Sequence, residues 1–388
     1  MTDLFLRSIT GKDNQPVSFP TGILFSEYGI NNIGKPGGPG FGVGVCPDTL
    51  PSGMTPLSGY LNPLSDNYGN YQYSDGSIMV WVPAFYYKWG NGSNGLYMNA
   101  VDIKPVSAFT SITEANASGY ALHRAFYDGG AVKNGFFVDK YICSNNSGTA
   151  SSIKNGIVLS SGQRGSLSTA VFSALTGAPA NTLGGAVAAA KTRGANFFVS
   201  SRFIFAALAM LSYAHAWSST SKNFCAWYDS TGVKNFPKGN NNNALGDAQD
   251  SSIRYEYDGN GTYTGCGKTG SANLFSRTTH NGQNSGVADL NGIVWEQTPG
   301  LTSDGTNYYI LNTSVAMKNV TGGNTLATDL YGATGIAAQY TNLGASYESL
   351  TGSASNKVYG SVNQVFSTAT SGNAWNFTGL GGLLTTEH

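Results

Sequence analysis

The most informative segment of the sequence for the fold is Gly286-Val-Ala-Asp-Leu-Asn-Gly-Ile-Val-Trp-Glu296. Asp289 and Asn291 predict an Asx turn, since both side chains hydrogen-bond to nearby backbone groups. A buried strand is predicted to follow at Trp295, and the Glu296 carboxylate is then placed to accept backbone N–H groups from a neighbouring loop. We therefore predict that Asp289, Asn291, Trp295 and Glu296 hold a core together and do not contact a ligand.

Strands are predicted upstream and downstream of this segment. Residues 77–89 and 135–143 are rich in β-branched and aromatic residues, which favour strands. Residues 308–311 form a further short apolar strand candidate. Because proline cannot donate a ladder hydrogen bond, Pro83 predicts an edge strand or a bulge within the first of these segments.

Two helices are predicted against this β-rich background. Thr182 caps a helix over residues 187–193, which ends at Gly194. Ser200 or Ser201 caps a second helix, whose apolar residues recur on one stripe. Two helices within a long, loop-rich β chain predict an α+β fold.

Three segments carry a resemblance to a known family. Residues 286–296 resemble the D-x-x-G-N-V-W-E signature of the formylglycine-generating-enzyme branch of the C-type lectin fold. Residues 136–141 are similar to the early F-x-x-D-K-Y-E-V-T-N strand of that family, and the two predicted helices resemble its helix pair. The resemblance implies a loop-rich C-type-lectin-like domain over residues 41–388. The Pro/Gly-rich residues 34–40 predict a junction, which leaves residues 1–40 as an N-terminal attachment or oligomerisation segment.

Within that family the chain resembles phage tail proteins and the variable proteins of diversity-generating retroelements more than the enzyme. No cysteine follows Cys266, so the paired C-terminal cysteines that would coordinate copper in the enzyme have no counterpart. The histidine ligands of the related iron enzymes have no matching motif, and residue 293 is Ile where the family signature has Asn. The resemblance therefore implies a binding protein that is not an enzyme and needs no cofactor.

Composition agrees with a surface protein. The 388 residues include 21 basic and 21 acidic ones, so no net positive field attracts nucleic acid. Only 11% of residues are charged while 12% are aromatic, which is typical of secreted or virion surface proteins. No signal peptide or membrane-spanning stretch is evident. We expect a protein made in the host cytoplasm and carried on a virion, without membrane insertion.

Other motifs favour structural explanations. Residues 262–269 approach a phosphate-binding P-loop, but Thr262 stands where its first glycine belongs. Residues 246–250 and 258–261 have the ligand types that calcium takes, so calcium binding stays open, although both loops are also explained by turn formation. The four cysteines form no CxxC pair, which predicts free thiols rather than a disulfide framework or a zinc site.

The leading functional hypothesis is a phage tail-fibre or tail-tip protein that binds a host cell-surface glycan or protein. The alternatives are a virion decoration or head-fibre protein without a receptor role, and a degenerate formylglycine-generating-type oxidoreductase. The resemblance implies a homotrimer in contact with other virion proteins. We predict the ligand face on the late loops, where tyrosine, tryptophan and asparagine supply rigid aromatic surface and hydrogen bonds. Its candidate residues are Tyr308, Tyr309, Tyr340, Tyr347, Asn373, Trp375 and Asn376.

Overall fold

The chain folds as a mixed α+β protein with few helices and several small antiparallel sheets. The structure is a computed structural model that describes residues 32–97, 100–162, 170–228, 240–241, 244–245, 254–256, 265–272, 274–290, 293, 296, 298–303, 308–312 and 340–344. The loop-rich α+β class predicted from the sequence is confirmed.

The described residues contain three α-helices and sixteen short strands. The helices are α1 (Ile112–Ala117), α2 (Leu183–Lys191) and α3 (Arg202–Ser218). The strands are β1 (Met54–Pro56), β2 (Asn70–Tyr73), β3 (Ile78–Pro83), β4 (Phe85–Trp89), β5 (Val101–Pro105), β6 (Ala121–Leu122), β7 (Tyr127–Asp128), β8 (Ala131–Val132), β9 (Gly135–Asp139), β10 (Ser144–Asn146), β11 (Thr149–Ser151), β12 (Asn240–Asn241), β13 (Ala244–Leu245), β14 (Leu301–Ser303), β15 (Tyr308–Leu311) and β16 (Tyr340–Gly344).

The largest described sheet has four strands in the order β1-β2-β3-β9. Side chains alternate between its faces, so Val80 and Val82 join the main core together with Leu208 of α3. Met79 and Trp81 lie on the other face and belong to a second apolar cluster. Both faces of this sheet are therefore buried, which explains why its central strand reads as continuous apolar sequence.

Pro83 lies neither on an edge strand nor at a bulge, so that prediction was wrong. It is the last residue of β3, an inner strand, and pairs with Gly135. Two residues after Pro83, Phe85 begins β4, which is the middle strand of a different sheet. The pairing of β2 with β3 ends at Val80, so the missing N–H of Pro83 removes no hydrogen bond from that ladder.

The predicted N-terminal helix caps are confirmed, but α2 spans Leu183–Lys191 with Thr192 as its C-terminal cap, so the predicted end at Gly194 was wrong. Thr182 Oγ1 accepts a hydrogen bond from Gly185 N at 3.2 Å at the start of α2. Of the two candidates for α3, Ser201 is the cap, and its Oγ accepts from Ile204 N at 3.4 Å. Helix α1 was not predicted from the sequence, although Ser111 caps it: its Oγ accepts a hydrogen bond from Glu114 N at 3.1 Å.

Residues 32–41 pack against the main body of the protein. Ile33 and Phe41 are fully buried in the main core. Gly37 N donates to His215 Nδ1 at 2.9 Å, and His280 Nε2 lies 3.0 Å from Gly42 O. The boundary at residue 40 stays a prediction, but the described part of the preceding segment folds with the core.

None of the described helices is long and apolar enough to cross a membrane.

Candidate ligand-binding site

A cavity of about 550 Å³ lies between the four-stranded sheet and the segment that joins α2 to α3. A volume of this size is within the usual range for small-ligand sites, about 300–1,000 Å³. The described residues that line it come from β1, β2, β3 and β9, from residues 51–52, 124–133 and 194–204, and from Leu311 of β15. Segments far apart in sequence therefore build one site.

The sheet contributes a cluster of aromatic side chains to this cavity. Trp81 of β3 and Phe137 of β9 meet edge to face, with ring centroids 4.8 Å apart. Tyr73 of β2 packs in the same way on Phe197, at 5.0 Å. The Trp81 indole N–H is buried and has no hydrogen-bond partner in the described structure. The wall of the cavity thus combines a large apolar area with one unsatisfied donor.

The segment opposite the sheet is held in place by Arg193, which is 9% exposed. Its guanidinium forms a bidentate pair with Asp139, at 2.7 Å and 3.2 Å. It also bonds to Asp75 Oδ2 at 3.1 Å and donates to Ala150 O at 2.6 Å. The guanidinium also lies over the Phe197 ring, with Arg193 Cζ 4.7 Å from the ring centroid. Arg193 therefore connects the sheet, β11 and the segment that closes the cavity.

The electrostatics of this cluster favour fixed charges rather than reactive ones. Burial opposes the charge on Asp75, but hydrogen bonds from Ser151 and Ser77 and the nearby Arg193 lower its pKa. Burial raises the pKa of Cys143 well above its ordinary value, and its thiol lies 3.0 Å from Asp139 Oδ2. The Cys143 thiol therefore stays protonated near neutral pH and is a poor nucleophile.

Arg124 fixes another wall of the cavity. Its Nη2 donates to Leu311 O at 2.8 Å, and Nη1 donates to Tyr127 O. The guanidinium also lies over the Phe203 ring, 4.9 Å from the centroid. Arg124 and Leu311 both line the cavity, so this contact attaches the sheet formed by β14, β15 and β16 to the site.

The outer edge of β9 has no strand paired with it among the residues that the structure describes. Lys140 N donates to Ile78 O at 2.9 Å, and the register then directs the main-chain groups of even-numbered β9 residues at β3. The N–H and C=O groups of Gly135, Phe137 and Asp139 consequently point away from β3. In the described part of the chain no hydrogen bond to any of these main-chain groups is found. Within the described residues, the site therefore contains a row of backbone donors and acceptors without a hydrogen-bond partner.

The predicted ligand residues are only partly placed by the structure. Tyr308 and Tyr309 lie in β15, two or three residues before the cavity-lining Leu311. Tyr340 is buried at the start of β16, where it pairs with Leu311. Tyr347, Asn373, Trp375 and Asn376 lie outside the described residues, so the late-loop ligand face stays a prediction.

Of the predicted structural motif, Asp289 is buried and adopts a positive φ of 57°. Its Oδ2 accepts hydrogen bonds from Thr269 Oγ1 at 2.7 Å and Gly270 N at 2.6 Å, while Oδ1 is buried without a partner. Burial raises the pKa of Asp289 to about 6. Glu296 is exposed, and Asn291 and Trp295 lie outside the described residues.

Sequence reasoning missed the cavity itself. The sequence places Trp81 and Phe137 in strands. The alternation of side chains along those strands does not show which face of the sheet borders a cavity. A usable signal was the run of Phe197 and Phe198 directly after Gly194, because two adjacent aromatic residues between helices must contact different surroundings.

No protein-family model matches the chain. A comparison with curated proteins found no significant match either. In the ranges that the structure describes, no three His, Cys, Asp or Glu side chains gather in a way that could hold a metal ion. The function is therefore inferred from the site.

Proposed function

We propose that this chain is a virion receptor-binding protein, a phage tail-fibre or tail-tip subunit with a C-type-lectin-like domain of the formylglycine-generating-enzyme branch. Its cavity takes part of a host cell-surface ligand. The single observation that carries the proposal is the 550 Å³ aromatic cavity. Concave, mainly apolar sites with a few polar groups are the usual form of a binding site.

The relative placement of three segments supports the proposed fold. The resemblance rests on residues 136–141, on the helix pair and on residues 286–296, which are distant in sequence. In the structure Ala288 N donates to Lys140 O at 2.9 Å, and Arg193 pairs with Asp139 at 2.7 Å. The segments that carry the resemblance are therefore in direct contact, as one domain of that family requires.

The surface supports display on a particle. Tyr97 and Trp217 are 87% and 48% exposed. Large exposed aromatic side chains favour contacts with other proteins, and the proposed homotrimer would bury part of this surface. The late loops, with Tyr308 and Tyr309, would extend the contact with the ligand beyond Leu311.

Adsorption to cells tests the proposal. Fluorescently labelled full-length protein is incubated with a panel of bacterial strains, and immunogold electron microscopy locates it on phage particles. We expect saturable binding to the susceptible strains, neutralisation of infection by antibody, and label at the tail. Absence of binding from every strain, with infection unaffected by antibody, would overturn the receptor role. Label on the head alone would favour the decoration alternative.

A further inference from the structure

We propose that the open edge of β9 binds an extended segment of a partner polypeptide, which adds to the four-stranded sheet inside the cavity. The inference rests on the proposed function, because it names the class of ligand for the same site. Strand addition is an established mode of peptide recognition, in which main-chain hydrogen bonds supply affinity and side-chain contacts supply specificity.

The cavity runs along this edge. All five residues of β9 line it, from Gly135 to Asp139. Successive side chains leave a strand on opposite faces, so a single space that touches five consecutive residues lies beside the strand rather than above one face. A partner segment of five residues spans about 17 Å, the length of β9 itself.

The spacing of the unpaired main-chain groups of β9 fits a second strand rather than one hydrogen-bonding residue. The main-chain groups of Gly135, Phe137 and Asp139 are unpaired in the described structure and recur every second residue. An added strand presents its own N–H and C=O groups at the same two-residue repeat. These three alternate residues of β9 can therefore all pair with one extended chain.

The edge is not blocked by its own residues. Proteins usually protect open edges with proline or with charged side chains. β9 has no proline, and its one charged residue, Asp139, is engaged by Arg193. Residues 194–204 instead cover this edge of β9 from the other side of the cavity. A partner protein can then pair with β9 only through a segment that enters the cavity.

The lining defines the chemistry of the partner segment. Aromatic and aliphatic side chains predominate, and the described charged residues balance as two cations and two anions. These four residues are Arg124, Asp128, Lys133 and Asp139. An uncharged segment with apolar side chains at alternate positions complements such a lining.

Amide NMR with a model peptide tests this inference. The probe is an end-blocked five-residue peptide of alternating threonine and valine, added to full-length labelled protein. In the free protein we expect fast hydrogen exchange at the Phe137 and Asp139 amides and slow exchange at Val138, which faces β3. The peptide should slow exchange at Phe137 and Asp139 by about tenfold or more, since each amide gains a hydrogen bond. The same peptide with all internal nitrogens methylated should have no effect.

Two exposed alanines give matched variants. Ala195 lines the cavity, so Ala195→Trp should obstruct entry and abolish the protection. Ala117 is also exposed, on α1 and outside the cavity lining, so Ala117→Trp should leave the peptide-induced protection unchanged. Protected Phe137 and Asp139 amides in the free protein, or an equal response to the methylated peptide, would overturn the inference. Retained adsorption to cells with no response to any peptide would reject strand addition, favour a glycan ligand and leave the proposed function standing.

Discussion

Asp289 shows how one buried carboxyl group sets a local constraint. Its backbone is left-handed, a conformation that asparagine tolerates better than most other residues with a side chain. One carboxyl oxygen accepts two hydrogen bonds and the other accepts none. The residue therefore fixes the turn geometry at the cost of a buried charge whenever it ionises.

Asp289→Asn should preserve the turn and remove that charge. The pKa of Asp289 is raised to about 6 in the folded protein, so its contribution to stability is lost as pH rises through 6. We expect the variant to gain about 1 kcal/mol of unfolding free energy relative to the wild type between pH 5 and pH 8. Urea unfolding at both pH values measures it, and a difference independent of pH would contradict the raised pKa.

At the scale of elements, residues 32–41 behave as part of the core. Phe41 is fully buried and stacks on His215, with ring centroids 5.2 Å apart. Phe41→Ala should lower the unfolding free energy by about 3–5 kcal/mol, because it leaves a cavity in a packed interior. Leu61→Ala is the control, since Leu61 is 59% exposed. Equal effects of the two substitutions in urea unfolding would show that residues 32–41 are not required for the core.

The elements that could be predicted from sequence are those specified locally. Thr182 and Ser201 bond to backbone groups three residues away, so a short window contains the whole signal for each helix start. The Ser111 and Glu114 pair that caps α1 is equally local and was overlooked. Pro83 was misassigned because its tolerance depends on where β2 ends, which is a property of pairing between strands. The cavity depends on contacts such as Tyr73 with Phe197, which no local pattern specifies.

For the whole molecule, buried neutral histidines predict sensitivity to acid. Burial lowers the pKa of both His215 and His280 to about 4. Each uses Nδ1 as an acceptor, from Gly37 N and Val287 N respectively, and protonation would remove that acceptor. Because the unfolded chain takes up these protons near pH 6.5, stability is lost as pH falls from about 6.5 to about 4.

The two histidines should each lose about 2–3 kcal/mol over that range. Protonation of Asp289 returns about 2 kcal/mol, because its raised pKa acts in the opposite direction. Together these three groups should lower the unfolding free energy by about 3 kcal/mol between pH 6.5 and pH 4. The buried His123, whose pKa burial lowers to about 3, acts in the same direction. Urea titrations at half-unit pH steps measure this change. A free energy that stays level or rises toward pH 4 would contradict neutral, buried histidines.

We propose that the aromatic cavity is the site at which the protein binds a ligand on the host surface. The most direct measurement is the dissociation constant of the labelled protein for a strain to which it adsorbs, compared between Ala195→Trp and Ala117→Trp. Both alanines are exposed, but only Ala195 lines the cavity. We predict that Ala195→Trp weakens adsorption by about tenfold or more and that Ala117→Trp leaves it unchanged, with equal thermal stability. Wild-type adsorption by a folded Ala195→Trp variant would contradict the claim and place the receptor site elsewhere on the molecule.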